Sequence, residues 1–205
     1  MNPRPLRVGL FGGAFDPPHR AHRALAEAAL AQLGLDLLLV LPTGQAWHKS
    51  RVLTAAAHRI AMCELAFAGL DRLRIDPRET RRAGPTYTAE TLTELAAEYP
   101  GAQLFLLLGA DQLLAFKTWK RWQEVLQCAT LAVASRAGST AACEAPAQGC
   151  GIDIPHISLD LPPLPLSATS VRALVQRSPH ADLDPLVSEG VARYISEHHL
   201  YRHAT

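Results

Sequence analysis

The sequence has no apolar run approaching the roughly 20 residues of a membrane span, which excludes an ordinary transmembrane helix. Nor does charge of one sign prevail. Its 20 Lys and Arg face 19 Asp and Glu for a formal net charge of +1, so no global field gathers nucleic acid or an anionic membrane. Any anion site must be local. Cys63, Cys128, Cys143 and Cys150 form no C-x-x-C pair and no zinc spacing, and a chain of 205 residues needs no disulfide staples. Reduced thiols and a cytoplasmic location are therefore expected. Met1 to Arg7 places two prolines and two arginines before a strand-sized apolar run, unlike the long apolar region of a signal peptide. Internal repeats are lacking as well.

What is present is 48% apolar residues, enough for one domain over residues 1–205 with a sizeable core. Short apolar runs at Leu6 to Phe11, Leu37 to Leu41, Gln103 to Leu108 and Leu131 to Ala134 predict buried strands, with a weaker one at Leu73 to Ile75. Between them, helical spacing over His19 to Leu33, from an N-cap at Thr54 to Gly69, and over Thr88 to Glu98 predicts helices; Gly34 reads as the C-terminal glycine of the first. This alternation predicts an α/β fold: a Rossmann-like, mostly parallel sheet with helices on both faces and ligands beyond the carboxyl ends of the strands. Ala137 to Gly151 reads as a flexible loop or a poorly ordered insertion, and Pro155 to Pro165 as extended. A small C-terminal helical subdomain over about residues 166–205 begins with a cap at Thr169 or Ser170 and buries Val187, Val191, Tyr194 and Ile195.

Two strings carry chemistry. The first, Gly12-Gly13-Ala14-Phe15-Asp16-Pro17-Pro18-His19-Arg20-Ala21-His22, joins the first strand to the first helix. Paired glycines let backbone approach a ligand closely, and the helix start aims free N–H groups at it, which favours phosphate. His19 and His22, one helical turn apart, can face the same phosphoryl group; the alternative is a plain turn with surface histidines. Neither the G-x-G-x-x-G offsets of a dinucleotide fingerprint nor the Gly-Lys-Ser/Thr ending of a P-loop is present. The second string, Leu166-Ser167-Ala168-Thr169-Ser170-Val171-Arg172, sets hydroxyls and a guanidinium at another helix start, suited either to phosphate or to ordinary capping.

Together these strings resemble the G-G-x-F-D-P-x-H-x-G-H and I-S-S/A-T-x-x-R motifs of the nucleotidyltransferase superfamily, with Ala21 in place of the usual Gly. Three further segments make the chain similar, over nearly its whole length, to bacterial nicotinate-nucleotide adenylyltransferases: Gly84-Pro85-Thr86-Tyr87-Thr88-Ala89-Glu90-Thr91-Leu92, Leu108-Gly109-Ala110-Asp111 and Phe116-Lys117-Thr118-Trp119. The resemblance implies adenylyl transfer from ATP to nicotinate mononucleotide, giving nicotinate adenine dinucleotide and pyrophosphate. ATP would meet Gly12, Gly13, Phe15, His19, His22, Arg136, Ser167, Thr169 and Arg172. The mononucleotide would meet Ala14, Phe15, His48, Lys49, Tyr87, Thr88, Gly109, Asp111, Trp119 and Lys120. Catalysis would fall to His19, His22, Lys49 and Arg172, with Mg²⁺ carried by the ATP and no metal held by protein ligands.

Physical chemistry supports the division. A pyridine ring needs an aromatic plane, which Trp119 can supply with Tyr87 nearby, and its carboxylate needs donors such as helix-start N–H groups near Thr88 and Lys120. A core anchor for Trp119 and a helix N-cap for Asp111 are the alternatives. His48 and Lys49 match the end of a P-P-H-K/R motif, whereas Ala46 and Trp47 depart from it. Rival readings are a phosphopantetheine adenylyltransferase and a nucleotide-binding module without turnover. No nucleic acid or membrane partner is expected, and a homo-oligomer is compatible with the sequence.

Overall fold

Strands that read Leu-Leu-Leu-Val-Leu-Pro and Gln-Leu-Phe-Leu-Leu-Leu have no polar face to turn to water, so they belong in the middle of a covered sheet. The computed structural model describes residues 4–44, 52–136, 154–162, 164–178 and 180–202, without the side chains of residues 135 and 136. In it, β1 (Arg7–Gly13), β2 (Leu37–Pro42), β3 (Leu73–Ile75), β4 (Gln103–Leu108), β5 (Thr130–Arg136) and β6 (Ile157–Leu161) form one sheet in the order β3-β2-β1-β4-β5-β6. Every neighbouring pair among them is parallel.

The period of two along each strand divides the core into two layers. On one face Phe11, Leu38, Val40, Phe105, Leu107 and Leu159 meet α1 (Arg20–Gln32), α2 (Ala56–Ala66), α7 (Ala168–Arg177) and α8 (Glu189–Glu197). On the other, Val8, Leu10, Leu39, Leu41, Leu106 and Leu131 meet α4 (Thr88–Glu98), α5 (Ala110–Ala115) and α6 (Trp122–Cys128). A short α3 (Arg78–Arg81) follows β3. The C-terminal helices α7 and α8 bury Val171, Val175, Val191 and Ile195 in the same layer as α1, so they close that face of the sheet. Packing at the centre is close: a Cβ on Gly9 would lie 2.6 Å from a Leu35 methyl and 2.8 Å from one of Leu38.

Several expectations change in detail. Pro155 to Pro165, read only as extended, contains β6, the edge strand beside β5. Helices α3, α5 and α6 were not anticipated; they are short, and their sequences carry little apolar periodicity. The residue before α2 is Ala55, not Thr54, and no side chain caps that helix; the Thr54 backbone is committed elsewhere, its N–H to Asp16 and its carbonyl to Arg59. Gly34 does adopt a left-handed φ of 57° just past α1. The loop expected over 137–151 lies outside the described residues. No helix among those described is long and apolar enough to cross a membrane.

Sheet order places the important crevice. From β1 the chain winds outward to β2 and β3, then returns to β4 on the other side and winds outward again to β5 and β6. The strand ends beside this reversal, Gly12–Gly13 of β1 and Leu108–Gly109 beyond β4, flank the place where such sheets bind ligands.

Candidate active site

A cleft of about 1620 Å³ opens over those strand ends. Its walls include both strings from the sequence, Gly12 to His22 and Ser167 to Arg172, together with Tyr87, Asp111 and Trp119. The two glycines have different duties. A Cβ on Gly13 would lie 3.0 Å from the Phe15 ring, whereas one on Gly12 would meet no atom within 4 Å, so Gly12 leaves its backbone open to the cleft.

Phe15 makes the turn after β1. Its backbone is left-handed, φ 46°, and its ring is 2% exposed, edge-on to Phe11, Phe67 and His22. The ring is therefore a core anchor, and what Phe15 offers a ligand is its backbone. His19 is the N-cap residue of α1, and its backbone N–H donates to His22 Nδ1 at 3.1 Å. The two imidazoles stack with centroids 3.7 Å apart. With Nδ1 accepting, neutral His22 carries its proton on Nε2, the nitrogen that can donate to an oxyanion. Burial lowers the His19 pKa to about 4, so His19 is neutral at pH 7. Its Nδ1 is buried without a hydrogen-bond partner.

At the other string the cap is Ser167, not Thr169 or Ser170. Ser167 Oγ accepts from the Ser170 N–H at 3.1 Å and the Ser167 N–H donates to Ser170 Oγ at 3.2 Å, a reciprocal cap that leaves Thr169 for another role. Thr169 Oγ1 accepts from Arg172 Nη2 at 3.1 Å. Nη1 of the same guanidinium donates to the Asp16 carbonyl at 2.8 Å, tying together two strings 156 residues apart. One cation thus stands where the loop after β1 meets the start of α7.

Around β4 and α4 the arrangement is more local. Gly109 precedes α5, and the Asp111 carboxylate folds back over it, 2.7 Å from where a Cβ would sit, while accepting from Gln112 at 3.0 Å. Asp111 lies within the first turn of α5 rather than at its N-cap, which is Gly109. Trp119 is half-buried against the fully buried Phe116, ring centroids 5.4 Å apart. The Lys120 ammonium sits 4.6 Å from the Tyr87 ring centroid, which occupies that aromatic face and leaves Trp119 the freer plane. Thr88 begins α4, so helix-start N–H groups are available there. Lys120, however, precedes Arg121, the left-handed residue before α6, and does not itself begin a helix.

Three expected residues are not placed. His48 and Lys49 lie outside the described residues, and Arg136 is described only as the last residue of β5, paired in register with Leu161. Other residues were missed. Asp16 stood in the first string without a role, yet it is 1% exposed and accepts from Tyr201 Oη at 2.8 Å and from the Thr54 N–H at 3.2 Å. Arg59 donates to the carbonyls of Ala14 and Thr54, each at 2.9 Å, and so braces the same turn. Glu79, in the cleft wall, accepts from Thr91 Oγ1 at 2.8 Å; burial raises its pKa against the pull of that bond and of Arg82. An acidic residue eight positions before Tyr87 was the only local signal for it.

A family model described as cytidylyltransferase-like matches residues 10–174, a span that includes both strings and the strands between them. The chain belongs to the cytidylyltransferase-like family. Within that family it is 51% identical over 204 residues to a probable nicotinate-nucleotide adenylyltransferase of Albidiferax ferrireducens, covering 97% of this chain and 99% of the relative. A protein of the same description from Bordetella petrii is 42% identical over 200 residues, covering 96% and 99%. This cytidylyltransferase-like chain thus aligns end to end with nicotinate-nucleotide adenylyltransferases and belongs with them. Its fold is likewise that of the Plasmodium falciparum nicotinic acid mononucleotide adenylyltransferase complexed with APC, with TM-score 0.73, 15% identity and 96% and 97% of the two chains covered. A putative nicotinate-nucleotide adenylyltransferase from Vibrio parahaemolyticus aligns with TM-score 0.70, 17% identity and 97% of each chain covered.

Proposed function

We propose that the chain transfers the adenylyl group of Mg-ATP to nicotinate mononucleotide, giving nicotinate adenine dinucleotide and pyrophosphate. The observation that carries this reading is the Arg172 guanidinium, which joins the two phosphate-type turns inside one cleft. Full-length likeness to nicotinate-nucleotide adenylyltransferases supports the choice of acceptor.

In the reaction, an oxygen of the mononucleotide phosphate bonds to the α-phosphorus of ATP. The bond from that phosphorus to the bridging oxygen of the β-phosphate breaks, and pyrophosphate leaves with its electron pair. No side-chain nucleophile is needed, so the protein's work is to hold two polyanions in line and to offset charge as it moves between oxygens. Gly12 and Gly13 let backbone approach the triphosphate, and the His22 and His19 rings offer N–H donors. Ser167, Thr169 and Arg172 hold the phosphates from the opposite wall. Lys49, His48 and Arg136 are the further donors that the family likeness assigns to the two substrates. A Mg²⁺ bound by the triphosphate would offset charge on its oxygens. Trp119 stacks on the pyridine ring, the start of α4 at Thr88 receives its carboxylate, and Asp111 beside Gly109 accepts from the ribose hydroxyls.

Pyrophosphate release with Mg-ATP tests the reading when nicotinate mononucleotide, nicotinamide mononucleotide and phosphopantetheine are supplied in turn. The expected result is release with nicotinate mononucleotide. Release with phosphopantetheine alone would move the chain to a different acceptor, and ATP binding with no release from any acceptor would make it a nucleotide-binding module.

A further inference from the structure

Beyond the residues that face substrate, one buried bond joins the C-terminal turn to the cleft. Helix α8 is anchored by Val191 and Ile195, and the Leu200 N–H donates to the Ile195 carbonyl at 3.0 Å, which ends the helix and directs the following residue inward. That residue, Tyr201, donates through Oη to Asp16 Oδ1 at 2.8 Å across 185 positions of sequence. Asp16 is a hub with two kinds of acceptor. Its carboxylate takes Tyr201 and the Thr54 N–H, while its carbonyl takes Arg172.

Costly backbone lies at Tyr201 and, next to Asp16, at Phe15. Among the described residues, non-glycine residues with positive φ are Phe15, Arg121, His199 and Tyr201, and three of the four flank or form the Asp16–Tyr201 pair. Such conformations persist where surrounding contacts over-determine them, and they concentrate where a site needs fixed geometry.

We propose that Tyr201 is a positioning residue: by satisfying the Asp16 carboxylate, it keeps the Arg172 guanidinium on the Asp16 carbonyl and on Thr169, aimed at the ATP triphosphate. This rests on reading the cleft as an adenylyl-transfer site. A carboxylate that is 1% exposed and loses its hydroxyl donor draws neighbouring donors toward the vacated oxygen, because under-satisfying a buried charge is costly. Arg59 is already committed to the carbonyls of Ala14 and Thr54. Arg172 is held on the same residue's carbonyl, and each step it takes toward the carboxylate is a step away from the phosphates.

Tyr201→Phe removes one oxygen and keeps the ring beside Met62, whose sulfur lies 3.9 Å from Oη. Calorimetry on the full chain would give affinities for Mg-ATP and for nicotinate mononucleotide, alone and in an Asp16→Asn background. Leu104→Val, at the start of β4 in the opposite core layer, serves as a control that loosens the core without touching the hub. The expected result is about tenfold weaker Mg-ATP binding with mononucleotide affinity within about twofold, an ATP loss shrinking below about threefold in the Asn background, and no selective loss in the control. Unchanged ATP affinity, equal losses for both ligands, or an undiminished loss in the Asn background would overturn the proposal. Should Tyr201→Phe fail to fold, Asp16→Asn alone, which removes the carboxylate charge that would draw Arg172 away, must bind Mg-ATP within about threefold of the parent; a folded Asn variant with a tenfold loss confined to Mg-ATP would overturn the proposal equally. These affinities need no turnover. A parent protein that binds Mg-ATP without releasing pyrophosphate would therefore sink the adenylyl-transfer reading and leave this comparison standing.

Discussion

The two halves of the cleft are built differently. On the phosphate side, residues distant in sequence are cross-tied: Arg172 to Asp16, Asp16 to Tyr201 and to Thr54, and Arg59 to Ala14. On the side of Tyr87, Asp111 and Trp119 the ties are fewer: Asp111 is held by its neighbour Gln112, and Lys120 by a single ring contact with Tyr87. Charge that moves during phosphoryl transfer is best met by donors already in place, since reorganising them in the transition state forfeits part of their worth. Ring recognition makes no such demand, and a stacking plane with adjustable polar neighbours suffices. The contrast predicts that changes on the first side fall mainly on turnover and changes on the second mainly on substrate requirement.

The sharpest break in that contrast comes from His22→Ala. Steady-state pyrophosphate release should show kcat lower by about 10²- to 10⁴-fold with both KM values changed far less, because the lost Nε2–H acts where charge develops. Unchanged turnover would remove His22 from the chemistry. Next in size, Trp119→Ala should raise KM for nicotinate mononucleotide about tenfold while leaving that for ATP near its parent value, in line with the loss of one stacked ring. Equal losses for both substrates would place Trp119 in the scaffold.

The smallest effect on turnover is expected from the titration of His19. Its folded pKa, about 4, lies below its ordinary 6.5, so the unfolded chain takes up the proton first as pH falls. Folding stability from this group is complete above pH 6.5 and is lost as pH falls through about 4, whereas turnover between pH 6 and 8 carries no step from His19. Thermal melts from pH 6.5 down to about pH 4, compared with His19→Gln, would check it; a parent and variant with the same acid dependence would contradict it.

Much of the scaffold could be read locally. Strands β1, β2, β4 and β5 are runs buried on both faces, and continuous apolar sequence is their signature. Strand β6 was harder because Ile157–Leu161 alternates apolar residues with Ser158 and Asp160 at a sheet edge, and helices α5 and α6 are too short to show a period. In the site, the glycine turn and the hydroxyl-rich turn were legible because each motif lies within one strand-to-helix or loop-to-helix junction. The cap at Ser167 rather than Thr169 was not, since either hydroxyl suits a helix start and only the tie to Arg172 decides. Tyr201 left no local signal at all: its partner lies 185 positions away, and a tyrosine after a helix has no pattern that names what it will touch.

The account depends on one triphosphate bridging both turns. A structure of the chain with a non-hydrolysable Mg-ATP analogue tests this most directly. It should show phosphate oxygens within hydrogen-bond reach of a His19 or His22 ring nitrogen and of the Arg172 guanidinium at once. A triphosphate seated against only one of the two turns, with the other turned to solvent, would contradict it.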